Sequence, residues 1–185
     1  DHRFGKGREA SVSDLKEYSS EFNFIVDEID AQEIEKIAIS STKIRNSINQ
    51  GDLETTKKYL GRFFSLTGKV VKGDGLGKQI DYPTANILIE EDYKIIPKDG
   101  VYYIRTRIDN KLYNGMMNIG HRPTIGNKAK SIEVNLFNFD RDIYDKIISV
   151  DVVVKIRDEK KFSSINALKA QLAKDEEHCL KLINK

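Results

Sequence analysis

The sequence predicts a mainly β protein: a six-stranded antiparallel closed barrel with a C-terminal helix, preceded by a partial α/β segment. Three observations carry this. Six short runs rich in Val, Ile, Tyr and Phe occupy 63–71, 86–89, 100–108, 112–119, 131–139 and 148–156, separated by Gly, Asn, Asp or Pro signals. No helical pattern lies between them, and closing an antiparallel sheet removes its exposed edges. After Ser164 the apolar spacing changes to three, four or seven through Ile165, Leu168, Leu172, Cys179 and Ile183. That stripe predicts a helix packed against the barrel.

Residues 1–61 read as mixed and partly helical. Alternation over 21–29, with Phe22, Phe24 and Val26 on one side, predicts a strand. Ser40-Ser41-Thr42 precedes a helical pattern carrying Ile44 and Ile48 and closed by Gly51, and any of the three hydroxyls suits the N-cap. Asp52 then caps a second helix with Leu53 and Leu60, ended by Gly61. From residue 62 onward the strands begin, and Asp109-Asn110 reads as a tight hairpin connection. This divides the chain into 1–61 and 62–185. The opening Asp1-His2-Arg3-Phe4-Gly5 has no initiator methionine, so the chain reads as a piece of a longer protein.

Composition narrows the function classes. Of 185 residues, 39% are hydrophobic and 32% charged, with a net charge of +2. That near-neutral balance argues against general nucleic-acid binding, which calls for a clustered basic face. A single cysteine, Cys179, permits no internal disulfide and no multi-cysteine zinc site, and points to a reducing, cytoplasmic setting. No apolar run approaches the ~20 residues of a membrane span. His2, His121 and His178 are scattered without partners at ligand spacing, against a zinc site or a Ser-His-Asp triad. Tyr102-Tyr103 offers a stacking face for a nucleic-acid-binding barrel, although paired strand aromatics are more often core.

The richest stretch is Gly73-Asp74-Gly75-Leu76-Gly77 followed by Lys78 and then Pro83-Thr84-Ala85-Asn86-Ile87. Glycines at Gly73, Gly75 and Gly77 let backbone N–H groups approach a ligand, and Lys78 supplies a cation for phosphate. On a strand, Thr84 and Asn86 share one face and present two neutral oxygens suited to a metal-bound nucleotide. The same stretch also reads as a glycine-rich turn entering a strand. It fits neither the P-loop nor the dinucleotide fingerprint, and no helix pattern opens after it, so a phosphate-binding role makes it a flap between strands. Glu133 shares a strand face with Ser131 and Asn135, opposite Ile132, Val134 and Leu136. A strand carboxylate of this kind is either a solvent-facing residue or a general base for a hydroxyl nucleophile. Ser40, Ser41, Thr42 and Arg45 at a helix start form a ready anion site, or an ordinary cap with an exposed arginine.

Taken in order, these segments resemble the C-terminal part of the bacterial bifunctional riboflavin kinase/FAD synthetases. The likeness rests on Leu66-Thr67-Gly68-Lys69-Val70-Val71, Gly77, Pro83-Thr84-Ala85-Asn86-Ile87, Pro97, Gly100-Val101-Tyr102, Asn118-Ile119-Gly120-His121-Arg122-Pro123-Thr124, Ile132-Glu133-Val134 and Arg157-Asp158-Glu159-Lys160-Lys161-Phe162. The resemblance implies a six-stranded kinase barrel with a C-terminal helix. It assigns Thr84 and Asn86 to Mg²⁺ and the ATP phosphates, with Gly73, Gly75 and Gly77 forming the flap over the nucleotide. Glu133 becomes the base toward the ribityl 5′-hydroxyl, and Arg157 lies in the segment that shapes the flavin side.

Asp1–Gly5 and Ile39-Ser40-Ser41-Thr42-Lys43-Ile44-Arg45 resemble the closing motifs of the family's FMN adenylyltransferase domain, where the Ser-Ser-Thr-x-x-Arg segment handles ATP phosphates. That makes 1–61 the C-terminal remnant of an α/β nucleotidyltransferase domain, with FAD synthesis expected of the full-length protein and not of this piece. The substrates implied are riboflavin and ATP, the product FMN, with Mg²⁺ and no prosthetic group, nucleic acid or membrane; oligomeric state is left open. The sequence departs from the pattern at Asp81, where the family has glycine, at Asn138, where it has aspartate, at Asp145 in a turn that ends in glycine, and at His2, where it has phenylalanine. A non-catalytic flavin-binding module and a nucleic-acid-binding barrel are the alternatives.

Overall fold

The computed structural model describes residues 3–28, 33–34, 37–73, 75–121 and 130–183. The chain divides into two compact units, Asp1–Ile39 and Ser40–Lys185. In the first, a turn of 3₁₀ helix at Lys6–Arg8 precedes α1 (Val12–Phe22). A reciprocal Ser11–Asp14 capping box opens α1, and left-handed Asn23 (φ 53°) closes it. Over the described residues 21–28 the strand expected over 21–29 is therefore not formed, and residue 29 lies outside the described residues. Glu21 and Phe22 finish the helix, and 24–28 is irregular, because cap chemistry at both ends outweighs a short alternation. Tyr18 and Phe22, one turn apart, bring their rings to 6.1 Å. Two-residue strands β1 (Glu33–Ile34) and β2 (Ile37–Ala38) pair antiparallel.

The second unit begins with α2 (Ser41–Gln50) and α3 (Leu53–Leu60). Ser40 is the N-cap, its hydroxyl accepting from the Lys43 N–H at 3.3 Å, and Asp52 caps α3 through the Thr55 N–H at 3.0 Å. Left-handed Gly51 (φ 76°) and Gly61 (φ 69°) end the two helices as expected. Ser47 and Thr56 share a buried 2.8 Å hydrogen bond between them. Leu53 reaches the core inside the barrel, so the helices of 40–60 sit in the same compact unit as the strands.

The barrel is formed by β3 (Phe64–Val71), β4 (Ala85–Leu88), β5 (Gly100–Ile108), β6 (Lys111–His121), β7 (Lys130–Leu136) and β8 (Ile147–Arg157). Its order is β3-β4-β7-β6-β5-β8, closed by β3 on β8, with every pairing antiparallel. Asp109 (φ 49°) and Asn110 (φ 64°) both take the left-handed conformation that a two-residue hairpin requires between β5 and β6. Inward residues such as Val70, Ile104, Met117, Val134 and Val150 fill the interior.

The outward alternates Val101, Tyr103 and Met116, with Phe137 just past β7, form a second core under α5 (Ile165–Ile183). Tyr102 points inward, fully buried, and donates to the Lys98 carbonyl, while Tyr103 lies under α5 and donates to Asn114 Oδ1 at 2.7 Å. Neither tyrosine offers a stacking face, which removes the physical basis of the nucleic-acid-binding alternative.

On α5 the inward stripe runs through buried Asp175 and Cys179 and partly buried Leu172 and Leu182, whereas Ile165 and Ile183 at the helix ends are exposed. Cys179 is fully buried and burial pushes its thiol up to about 12. The neutral thiol is favoured by the fold below the unfolded thiol's ordinary value, and this contribution is lost as pH rises toward 12. Native protein at pH 8 is therefore expected to resist alkylation by iodoacetamide, with one thiol reacting after denaturant is added. Rapid labelling of the native protein would contradict the buried, protonated state.

Candidate active site on the outer barrel face

Strand register builds the site. Asn86 on β4 pairs with Glu133 on β7, Glu133 pairs with Asn118 on β6, Asn118 with Val101 on β5, and Val101 with Arg157 on β8. Because cross-strand partners share a face, Asn86, Glu133, Asn118 and Arg157 stand in one row on the outside of the barrel. Inward neighbours Ile87, Ile132, Val134 and Ile119 hold that row by their burial. The carboxylate thus lies between two carboxamides on a rigid sheet.

Above the row, between the barrel and α5, is a cavity of about 230 Å³ lined by Gly77, Tyr82, Thr84, Asn118, Glu133 and Arg157 among others. Leu168 and Leu172 of α5 supply its apolar side. A second hollow of about 590 Å³ opens nearby, with Lys78, Asp140, Arg141 and Tyr144 in its lining. Thr84 is a residue common to both linings.

The segment that delivers Thr84 is folded tightly. The Gly77 carbonyl accepts from both Ile80 (3.2 Å) and Tyr82 (2.9 Å) N–H groups. A Cβ at Gly77 would fall 2.2 Å from the Tyr82 carbonyl oxygen and 3.2 Å from Thr84 Oγ1, so only glycine permits this approach. Leu76–Gln79 form a single helical turn, α4, where the sequence showed no helix pattern. Four residues carry too little periodicity to read. Asn135 Nδ2 donates to the Pro83 carbonyl at 2.8 Å, tying this segment to β7.

Gly73 and Asn86 are in contact: a Cβ at Gly73 would lie 2.0 Å from Asn86 Nδ2. Asn86 is buried, and neither it nor Gly73 or Gly75 lines the two hollows. Ser40, Ser41, Thr42 and Arg45 line neither hollow as well; the Ser40 hydroxyl is engaged as the α2 cap. Asp74 and 122–124 lie outside the described residues.

Arg157 is committed to the helix above it. Its Nε lies 3.0 Å from both Asp175 carboxylate oxygens, its Nη2 lies 2.7 Å from Oδ2, and Nη1 donates to the Asp158 carbonyl at 3.0 Å. Gln171 adds a 2.9 Å bond to Asp175 Oδ1. The pair is interior, 13% and 3% exposed. Tyr82 donates to Glu176 at 3.1 Å, and burial first, then this carboxylate, hold its hydroxyl pKa above the ordinary phenol value. Asn118, Asn135, Tyr82 and Asp175 were not singled out as site residues from the sequence. The alternation of β6 could have flagged Asn118, whereas the Arg157–Asp175 contact has no local signal.

The donor set suits a hard cation that arrives with its ligand. Mg²⁺ takes oxygen ligands, keeps several waters and is completed by substrate phosphates. Thr84, which lines both hollows, offers a neutral oxygen of that kind, whereas Asn86 is buried and lines neither. Among the described residues no group of three or more His, Cys, Asp or Glu forms a dedicated metal cage.

The family model for riboflavin kinase (flavokinase) matches residues 60–183, the whole barrel with α5. The chain belongs to the riboflavin kinase family. It is 40% identical over 100% of its length to the bifunctional riboflavin kinase/FMN adenylyltransferase of Buchnera aphidicola subsp. Schizaphis graminum, covering 60% of that protein. It is 36% identical over 96% of its length to the protein of the same name from Haemophilus influenzae, covering 57% of it. The chain thus spans a little over half the length of these curated relatives.

Among solved structures it is similar to one described as a macrolide-efflux protein from Streptococcus pneumoniae, at TM-score 0.83 and 37% identity, covering 96% of this chain and 57% of that one. That description is of that protein. Among the described residues here, no helix is long and apolar enough to cross a membrane. The riboflavin kinase domain therefore carries the row of Asn86, Glu133 and Asn118.

Proposed function

We propose that the chain transfers the γ-phosphate of ATP to the ribityl 5′-hydroxyl of riboflavin, giving FMN and ADP. The observation that supports this best is Glu133 in register with Asn86, in the floor of a cavity whose wall holds Thr84. Glu133 accepts the hydroxyl proton as the new O–P bond forms and ADP departs with the electrons of the broken P–O bond. A general base of this kind contributes ~10²–10⁴-fold. Thr84 and Asn86 would hold Mg²⁺, which would supply positive charge against the charge that develops on the transferring phosphate. The Gly73–Gly77 stretch with Lys78 forms the nucleotide flap, and Gly77 brings backbone close to Thr84.

For Arg157 the contacts favour a supporting role on the flavin side. Its guanidinium is occupied by Asp175, so it shapes the cavity by fixing α5. Residues 1–61 are read as the trailing part of an FMN adenylyltransferase domain, with Ser40, Ser41, Thr42 and Arg45 its phosphate segment. FAD synthesis then belongs to the full-length protein, in a cytoplasmic setting consistent with one free, buried cysteine.

Incubation with riboflavin and MgATP, followed by chromatography, separates the readings. FMN is expected, dependent on both nucleotide and Mg²⁺. Riboflavin binding without FMN would favour a non-catalytic flavin-binding module instead.

A further inference from the structure

Asp81 stands in the left-handed region, φ 65°, where glycine is the relaxed residue and aspartate is one of the few side chains tolerated. Its carboxylate Oδ2 lies 2.5 Å from Lys169 Nζ on α5. The next residue, Tyr82, reaches Glu176 two turns further along the same helix at 3.1 Å. Two residues on, Thr84 lines both hollows, and its approach is set by the Gly77 turn and the Asn135–Pro83 bond. The segment carrying Thr84 is therefore pinned on one side to the sheet and on the other to the helix that walls the cavity.

We infer that Asp81 and Lys169 are positioning residues for the nucleotide side of the reaction: their ion pair holds the 77–84 segment against α5 and so sets where Thr84 meets the phosphates. The inference rests on the kinase reading above. Both side chains are largely exposed, 80% for Asp81 and 50% for Lys169. The tether is consequently modest and sensitive to salt, not a determinant of folding.

The test is a double-mutant cycle in the whole chain, with KM for MgATP, KM for riboflavin, kcat and melting temperature measured for each protein. D81G and K169A are each expected to raise KM for MgATP about two- to fivefold, leaving KM for riboflavin and the melting temperature close to wild type. The double variant is expected to be no worse than either single one. About 0.5 M salt should bring the wild type to the variants' KM, since exposed pairs are screened at that strength.

Additive effects, or a wild-type KM in K169A, would overturn the pairing. An effect in D81G alone would instead assign the carboxylate a direct role toward the metal or the phosphates. A fall in kcat and a rise in both KM values, together with a lowered melting temperature, would reduce the pair to a structural contact. Absence of FMN from the wild type itself would defeat the kinase reading, an outcome distinct from all of these.

Discussion

Glu133→Gln is expected to slow FMN formation by at least about tenfold, within the ~10²–10⁴-fold that a general base supplies, while nucleotide binding persists. Glutamine matches the shape of glutamate and keeps its place between Asn86 and Asn118 on a rigid sheet. It cannot take the hydroxyl proton. On β7 itself Glu133 is flanked by inward-facing Ile132 and Val134, buried at 3% and 1%, so the substitution leaves the fold intact. Stopped assays at saturating riboflavin and MgATP, with nucleotide affinity measured separately, give the comparison. An unchanged kcat would remove Glu133 from the chemistry.

The largest effect on stability is expected at the other end of the row. Asp175→Ala strips the partner from Arg157 inside the barrel–α5 interface, leaving a guanidinium without its counter-charge where both groups are shielded from water. Breaking one side of a buried ion pair costs about 3–5 kcal/mol, more than the pair contributes relative to an apolar replacement. Gln171 also loses its acceptor. Urea unfolding should show a midpoint lowered to match, with the slope retained. A midpoint within error of wild type would mean that α5 is held by its apolar stripe alone.

The barrel was legible because its strands announce themselves twice, by β-rich composition and by turn chemistry. Asp109-Asn110 lies at the predicted hairpin with two positive φ angles, and Asp52 and Gly61 bound α3 as read. Thr84 and Asn86 could be put on one face of their strand, and Glu133 with Ser131 and Asn135 on one face of another, because strand alternation is local. The pairing of Asn86 with Glu133 across β4 and β7 is a matter of register, which no single strand encodes.

What escaped was decided by tertiary contact. Tyr102 and Tyr103 look alike in sequence, yet one fills the barrel and the other lies under α5. The run 21–28 lost its strand to a helix cap. Arg157 offered a basic group for a ligand, and a carboxylate 18 residues away claimed it. The departures at Asp81 and Asp145 gain a shared physical account: both sit at left-handed φ, 65° and 62°, and both pair with a lysine, Lys169 and Lys69. Aspartate accepts the backbone that glycine would take and adds a tether. For Asp145 the Lys69 hydrogen bond and charge hold its pKa below the ordinary carboxylate value.

In the proposed reaction the site that holds Glu133 between Asn86 and Asn118, near Thr84, moves a terminal phosphate onto a flavin hydroxyl. Tracing isotope tests it most directly, with the chain supplied with riboflavin, Mg²⁺ and ATP labelled in either the γ- or the α-phosphate. The γ label is predicted to move to the flavin fraction as FMN in proportion to ADP formed, with the α label remaining on the nucleotide. A flavin fraction that stays free of γ label while riboflavin is bound would contradict it.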